Sequence, residues 1–302
     1  MSTTKGGFQT EAGNPPVTST TIAAPAAPSA TGVKAAFTDD AKYNVFYNKT
    51  PLIDNGSAGK KATASVAGVA ADVKAVQVIV EGTDIADAPL TESLPAFTVN
   101  TLGTVTGSSL FKTITKVTMP AHDGTGATTS VGIEGDTVDK VIPAFTDKGY
   151  DAVHQANDAI NNPGAARNVS ATAGGTAVDI KAVQPIVHGT NDDDAVISET
   201  LPAFTVDTAG IVVGNKAFKT ITKIELPKHD GTGATTAFGT GSKLGLGQKI
   251  SRNTVMTAYL NGVREATAPT VAFSGSAIES NTVLLASAIP GAQDVIVDFI
   301  RD

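Results

Sequence analysis

The sequence predicts a mainly β protein with tandem duplicated β-sandwich domains, a small C-terminal β domain and an extended N-terminal arm. Three observations predict this class: a gapless internal repeat, period-two alternation inside the repeat, and an Asn-Gly hairpin signal near the C-terminus. The expected divisions are an extended arm over 1–35, a first β domain over 36–145, a helical linker over 146–168, a second β domain over 169–245 and a C-terminal module over 246–302.

The repeat has the properties of a tandem duplication. Residues 72–129 align with residues 179–236 at a constant offset of 107 without gaps, and 37 of the 58 aligned positions are identical. This spacing exceeds the roughly 20–50 residues of solenoid repeats, so we expect each copy to be a whole domain. The matching aromatic positions are expected in the two cores: Phe97, Phe111, Phe204 and Phe218.

Strand patterns run through each copy. Residues 111–119 alternate between two faces, with Phe111 and Val117 on the apolar one, and the run ends at Pro120. Such alternation with β-branched residues is typical of a strand that buries one face. Short strands separated by turn residues favour a sandwich or a small barrel.

A second strand is predicted early in each copy. KAVQVIV over 74–80 corresponds to KAVQPIV over 181–187, where Pro185 favours an edge position. The Gly-Thr pairs that begin at Gly82 and Gly189 predict turns directly after these strands.

Two regions outside the repeat lack the strand pattern. Residues 1–35 are rich in Ser, Thr, Ala and Pro and have too few large apolar side chains to form a core. We expect them to run as an extended arm across a neighbouring subunit or another protein of an assembly, ordered only there, with the Pro185 strand as one edge that could receive it. Between the copies, residues 146–167 contain DAVHQANDAINN and predict a helix that ends at Pro163-Gly164.

The last fifty residues predict a separate β module. Asn261-Gly262 lies between TVMTAYL and VREA, and this dipeptide between alternating segments is typical of a two-residue hairpin. TVLLAS and the final DVIVDFI supply two further strands.

Composition and charge argue against several functions. The chain has 302 residues, no Cys and a formal net charge of −7. The lack of Cys excludes disulfides, thiolate catalysis and Cys-ligated metals, and the acidic balance argues against nucleic-acid binding. MSTTKGGFQT lacks the apolar stretch of a secretory signal, and no 18 apolar residues run together, so we expect no membrane partner.

A repeated His-Asp pair is the first candidate for chemistry. His122-Asp123 recurs as His229-Asp230 inside the shared block HDGTGATT. Catalysis would also need a nucleophile or a metal, and adjacent residues on a strand point to opposite faces. We interpret the block as a tight turn in which Asp accepts backbone N–H groups and Gly takes positive φ.

A run of carboxylates is the second candidate. Asp192, Asp193 and Asp194 offer oxygen ligands for calcium, but two of the corresponding residues in the first copy are Ile85 and Ala86. We therefore expect a solvated loop. The sequence predicts no catalytic, cofactor-binding or metal-ligating residues, no cofactor and no enzymatic activity.

The C-terminal segment carries a family resemblance. AYLNGVREA, followed by VAFSGSAIESNTVLLASAIPGAQDVIVDFI, resembles a short β module of tailed-bacteriophage virion proteins. The matching elements are an LNG hairpin, a Ser-Gly turn, a leucine strand and a Pro-Gly turn that leads into a Val-x-Val strand: Leu260, Asn261 and Gly262; Ser274 and Gly275; Leu284 and Leu285; Pro290 and Gly291; then 294–299. The duplicated FKTITKV…PAHDGTGATT segment is similar, more loosely, to Ig-like sandwich modules of phage structural proteins.

This resemblance implies a structural component of a tailed-phage particle, located in the virion. The leading expectation is a capsid decoration or head-neck/collar protein that associates with itself and with other virion proteins of the capsid, neck or tail. A tail tube or tail fibre component and an Ig-like adhesin that binds a cell surface are the alternatives. An adhesin would need a cluster of exposed aromatic residues, and the chain has only 4 Tyr and no Trp.

Overall fold

Antiparallel sheets dominate the described part of the chain in a computed structural model, so the protein is mainly β, as the sequence predicts. The structure describes residues 17–38, 43–48, 51–122, 126–135, 142–146, 151–156, 160–230 and 233–300. In that part of the chain, no helix has the length and hydropathy needed to cross a membrane.

The strands are short, and the remaining regular elements are single 3₁₀ turns. The strands are β1 (Val17–Ile22), β2 (Ser29–Thr38), β3 (Tyr43–Asn48), β4 (Ile53–Asp54), β5 (Lys60–Gly68), β6 (Ile79–Thr83), β7 (Pro89–Ser93), β8 (Gly103–Phe111), β9 (Thr113–Met119), β10 (Ala127–Ile133), β11 (Ile142–Thr146), β12 (Asp151–Ala156), β13 (Arg167–Gly175), β14 (Ile186–Thr190), β15 (Val196–Thr200), β16 (Gly210–Val213), β17 (Thr220–Leu226), β18 (Ala234–Gly245), β19 (Val255–Leu260), β20 (Val263–Arg264), β21 (Thr270–Ala272), β22 (Thr282–Leu284) and β23 (Val295–Ile300). The 3₁₀ turns cover Gly56–Ala58, Ala70–Asp72, Ala177–Asp179 and Ile278–Ser280.

Strands β4 to β12 form what we call the first body. Its two layers have the strand orders β11-β10-β5-β8 and β12-β9-β6-β7, and β4 also pairs with β9. Side chains from both layers meet in one buried core, including Ala64 of β5, Val131 of β10, Val80 of β6 and Val117 of β9. Two layers around a shared core are a β-sandwich.

Strands β13 to β18, together with β2 and β3, form the second body. Its layers have the orders β2-β18-β13-β16 and β3-β17-β14-β15, which correspond strand for strand to those of the first body. The inner pairings also share one register: Gly68 opposes Ala127 in the first body, and Gly175 opposes Ala234 in the second. The four repeated aromatic residues expected in the cores are all buried, which confirms that prediction: Phe97, Phe111, Phe204 and Phe218.

The two bodies share a continuous sheet. Strands β3 and β12 lie side by side in parallel and join the two inner layers into one nine-stranded sheet. The C-terminal module has the strand order β1-β23-β19-β20, and β22 pairs with the end of β18. Its core includes Leu244 and Leu246 beside Val297 and Phe299, so β18 reaches from the second body into the module.

The predicted helix between the copies is wrong over Asp151–Ala156. These residues form β12, which pairs with β9 on one side and β3 on the other. Sheet hydrogen bonds on both sides outweigh the local preference for a helix, because tertiary context overrides propensity. Residues 157–159 of the predicted helix lie outside the described part.

The extended arm is only partly as expected. Val17–Ile22 pairs with β23 and Ser29–Thr38 pairs with β18, so these residues complete sheets of their own chain. Whether they cross to a neighbouring subunit in an assembly stays a prediction. Their few apolar side chains do not prevent folding, because the partner strands already provide the cores. Residues 1–16 lie outside the described part.

The early strand of each copy begins later than predicted. Strands β6 and β14 start at Ile79 and Ile186, so the residues from Lys74 and from Lys181 precede them. The edge position inferred from Pro185 is also wrong, because β14 lies between β15 and β17. Pro185 directly precedes the strand and needs no ladder hydrogen bond there.

Gly82 and Gly189 lie inside strands and not at the predicted turns. At both positions the pairing register shifts by one residue against β9 or β17, as in a β-bulge. A Cβ atom at Gly189 would lie 1.8 Å from the carbonyl oxygen of Thr220, and one at Gly82 would lie 1.9 Å from that of Thr113. The partner backbone therefore excludes every side chain at these two positions.

The bulge also changes which residues of β9 face the core. Ile114 and Val117 are both fully buried, although they are three residues apart and alternation would place them on opposite faces. The extra residue, Thr115, has no partner in β6. The predicted apolar face of 111–119 is therefore correct at Val117 and wrong at Thr113 and Thr115.

The C-terminal hairpin prediction is confirmed. Leu260 pairs with Val263 across Asn261 and Gly262, whose φ values are 51° and 76°. Two consecutive positive φ angles define the turn type that Asn-Gly favours.

We expect Gly189→Ala to lower the free energy of unfolding by at least about 2 kcal/mol, because the new methyl group would displace the Thr220 backbone. Gly210→Ala is the matched control in the same body, since no atom lies within 4 Å of its Cβ position. Urea unfolding followed by circular dichroism measures both. Equal losses in the two variants would contradict the close-approach explanation.

Candidate functional site

Each repeated histidine hydrogen-bonds to the segment that precedes strand β6 or β14, and so holds the HDGTGATT segment close to it. His122 Nδ1 accepts the backbone N–H of Lys74 at 3.1 Å, and His229 Nδ1 accepts that of Lys181 at 3.0 Å. An acceptor nitrogen carries no proton, so each ring holds its proton on the other nitrogen. The same bond in both bodies supports a structural role for these histidines.

Both histidine rings are buried and pack against a phenylalanine. The ring of His122 lies 5.6 Å from that of Phe97, and His229 lies 5.8 Å from Phe204, measured between centroids. Burial, followed by the nearby Lys181 ammonium, lowers the pKa of His229. The imidazole is therefore neutral near pH 7 and suited to accept the amide hydrogen bond.

The carboxylates that bind this turn are residues the sequence interpretation missed. Asp72 Oδ2 accepts the N–H of Gly126, and Asp179 Oδ2 accepts that of Gly233, each at 2.8 Å. Neither glycine has positive φ, but a Cβ atom on either would lie 2.7 Å from the carboxylate oxygen. These glycines are therefore required by close approach and not by φ. The recurrence of Asp at the 107-residue offset was the available signal.

The aspartate of the His-Asp pair does not have the predicted role in the second body. The Asp230 side chain is 82% exposed and lies 3.8 Å from Lys181 Nζ, while its own N–H donates to the carbonyl of Asp179. Asp123 lies outside the described residues, as do Gly231 and its neighbour 232. No His-Asp hydrogen bond forms between His229 and Asp230 among the contacts that the structure describes.

The three consecutive aspartates lie in and beside a hairpin turn. Asn191 Oδ1 accepts the N–H groups of Asp193 and Ala195, and the Asp194 carboxylate pairs with Lys219 at 2.8 Å. Asp194 also has φ of 58°, which Asp tolerates in turns. In the first body Asp84 and Asp87 act in the same way, so this is a repeated turn device.

Asp192 is the only member of the run that is substantially buried by its surroundings. Burial raises its pKa, the Lys219 ammonium opposes that rise, and the carboxylates of Asp193 and Asp194 add to it. Within the described ranges, no three His, Asp or Glu side chains are grouped closely enough to hold a metal ion. The calcium interpretation therefore gains no support.

A charged cluster that the sequence did not predict lies on β14 and β17. Glu225 Oε1 binds His188 Nε2 at 2.8 Å and Lys223 Nζ at 2.7 Å. Burial raises the pKa of Glu225, but these two hydrogen bonds outweigh it and lower the value to about 2. The carboxylate is thus ionised and doubly bound, which is unsuited to general acid–base work near neutral pH.

The most elaborate polar site joins the N-terminal strands to the rest of the molecule. We call β1, β2, β3 and the connecting residues 23–28 the strap. Its connecting segment is held by the Arg167 guanidinium, which donates to the Ala26 carbonyl at 2.5 Å and to the Gly241 carbonyl at 2.5 and 2.9 Å. On the module side, Asp294 Oδ1 accepts the N–H of Ala24 at 2.8 Å.

Arg167 is almost completely buried, with 1% of its surface exposed. Burial lowers its pKa to about 10, so the side chain still carries its charge at neutral pH. A buried cation bound only by carbonyl groups through the contacts described is costly unless those bonds persist. Arg167 therefore fixes the strap at one position between the second body and the C-terminal module.

Three of the cavities among the described residues lie away from the charged groups above. Their volumes are 440, 340 and 270 Å³. The first lies in the C-terminal module beside Arg264 and Glu265, and the other two lie beside Pro28 at the start of β2. None is lined by the repeated histidines or by the carboxylates of the hairpin turns.

Comparison with known proteins adds no relative. No family model, no curated protein and no solved structure matches this chain. The geometry of the strap, and of the sheet edges that it completes, makes this region the candidate functional site.

We expect Arg167→Met to lower the free energy of unfolding by about 3 kcal/mol, because the carbonyls of Ala26 and Gly241 lose the charge-assisted hydrogen bonds of a buried guanidinium. Limited proteolysis should then cut within 23–28. Lys60→Met, at the equivalent position of the first body, is the control and should cost less than about 0.5 kcal/mol. A protected strap in Arg167→Met would contradict this role.

The neutral His229 predicts a pH-dependent stability. Its folded pKa lies below its unfolded pKa, so the unfolded chain binds more protons and the free energy of unfolding falls as pH drops from 7 through about 6.5. His229→Asn should flatten this dependence between pH 7 and 5. Gly210→Ala, whose new methyl group would meet no atom within 4 Å, should leave the slope unchanged. Urea midpoints across that pH range measure both.

Proposed function

We propose that this chain is a non-catalytic structural protein of a tailed-phage particle, located in the virion. It acts by association with copies of itself and with other virion proteins. A capsid decoration or head-neck/collar position is the leading possibility. The proposal rests on the resemblance of the C-terminal residues to a β module of phage virion proteins and on the apolar residues exposed on the edge strands.

Exposed apolar residues on edge strands are the observation that carries the association. Val196 on β15 is 85% exposed, Val263 on β20 is 70% exposed and Ile211 on β16 is 56% exposed. Each of these strands is the last in its sheet. An edge with unpaired backbone groups and apolar side chains favours contact with another chain.

The C-terminal module supports the phage assignment. The segments that carry the resemblance form its hairpin, its Pro-Gly turn and its last strand. The Pro-Gly turn also approaches the strap, since a Cβ atom on Gly291 would lie 3.2 Å from the backbone nitrogen of Ala27. The residues that carry the resemblance therefore lie beside the strap, which comes from the N-terminal part of the chain.

The arrangement of the polar groups supports a non-catalytic role. The buried or paired histidines and carboxylates bind backbone amides, hairpin turns or a neighbouring lysine. Several of these contacts recur at equivalent positions of both bodies, as expected for elements that hold a fold together. Catalysis would need a nucleophile, a base and an orienting group that converge on one cavity.

We expect Val196→Lys to shift the purified protein toward the monomer, because a charge at the sheet edge opposes strand-edge contact. Light scattering after size-exclusion chromatography, at a series of protein concentrations, measures the mass. Val178→Lys is the matched control, since Val178 is 64% exposed but lies in a 3₁₀ turn and not on a strand edge. It should leave the mass unchanged.

The virion assignment is tested separately. Mass spectrometry of purified particles of the phage that encodes the chain should detect it in a fixed stoichiometry. A chain that stays monomeric at all concentrations and is absent from the particles would overturn the proposal.

A further inference from the structure

The strands that complete the two bodies come from opposite directions along the chain. Strands β11 and β12 complete the first body, and β2 and β3 take the same places in the second. The donors are also similar in sequence, because VKAAFT over 33–38 resembles VIPAFT over 141–146. In sequence, β2 and β3 precede the first body, whereas β11 and β12 precede strands β13 to β18 of the second.

The two donor pairs bind their acceptors in the same register. Thr128 opposes Thr146 in the first body, and Thr235 opposes Thr38 in the second. Along the inner sheet, Lys116 opposes Gln155 just as Lys223 opposes Asn48, with both residues shifted by 107. The edges of β17 and β18 therefore bind their donor strands in the same register as the equivalent edges of β9 and β10.

The connections of the two donor pairs differ greatly. In the first body only residues 134–141 separate β10 from β11, so the donors follow directly from their acceptor. In the second body the chain runs from β18 into the C-terminal module, and the donors come from the N-terminal end. A longer loop has a larger closure entropy, so the second body depends on the less favoured closure.

We propose that in the assembled protein the strands β2 and β3 of one copy complete the second body of another copy. The exchanged pairing keeps every backbone hydrogen bond and every register, because donor and acceptor are identical in all copies. Copies that associate hold the donor of one chain close to the acceptor of the next, so pairing between chains competes with long-range closure within one chain. This inference rests on the proposed self-association and specifies its partner and its contact.

A second copy fits this site better than an unrelated protein. Eight residues of β17 and β18 pair with residues of β2 and β3 at fixed positions. The similar strand pair, β11 and β12, already pairs within the first body. Without their donors, β17 and β18 would expose unpaired backbone groups in the interior of the molecule. Every copy of the chain supplies the donor that another copy needs.

The lack of cysteine allows a direct test with engineered disulfides. Directly opposed residues of antiparallel strands have Cα atoms about 4.5–5.5 Å apart, within the range that a disulfide spans. We would co-express two differently tagged chains, one with Asn48→Cys and one with Lys223→Cys, and oxidise the purified mixture. The expected product is a disulfide-linked pair that carries both tags.

The first body provides the matched control. Gln155→Cys and Lys116→Cys occupy the same register positions, but their strands are connected within one body. The mixed disulfide should form about ten times less in this control pair than in the test pair. The control double variant, Gln155→Cys with Lys116→Cys in one chain, should instead close internally at the mass of a single chain, and circular dichroism verifies folding throughout.

The inference is overturned if the folded chain with both Asn48→Cys and Lys223→Cys closes only internally and the mixed test pair gives no more product than the control. Light scattering on the unmodified protein separates this outcome from failure of the proposed function. A protein that associates without mixed disulfides retains its proposed role and uses other surfaces. A protein that is monomeric and absent from particles loses both proposals.

Discussion

The need to pair the inner strands of each sheet on both sides controls this architecture. Each body has inner strands whose outer neighbours must be supplied from elsewhere in the chain: β9 and β10 in the first body, and β17 and β18 in the second. An unpaired N–H or carbonyl group in a buried sheet costs about as much as a lost hydrogen bond. Strands β2 and β3 of the strap are therefore an integral part of the second body, although they are distant from it in sequence.

Chemistry-bearing residues serve the same purpose on a smaller scale. The repeated histidines, Asp72 and Asp179 bind backbone amides, and Asp84 and Asn191 bind the amides of hairpin turns. These groups hold irregular segments where no strand can supply a partner. Arg167 does the same for carbonyl groups between the strap and the second body. These polar residues therefore stabilise the fold by binding backbone groups.

The strap also links the three β units energetically. Its first strand belongs to the C-terminal module and its other two belong to the second body, while β3 contacts β12 at the boundary with the first body. Loosening the strap would therefore expose edges in more than one unit at once. The strand exchange that we propose uses this coupling, because donor and acceptor remain complementary whichever chain supplies them.

The sequence by itself determined the features that depend on local chemistry or on internal comparison. The 107-residue offset defined the two copies, matching aromatic residues identified the cores, and Asn261-Gly262 specified its hairpin because those two residues readily adopt positive φ. Only the tertiary structure decided which strands pair. It turned Asp151–Ala156 into a strand, placed Gly82 and Gly189 in bulges and brought the N-terminal strap to the second body. Those outcomes depend on hydrogen bonds between residues far apart in the chain, which neither propensity nor alternation encodes.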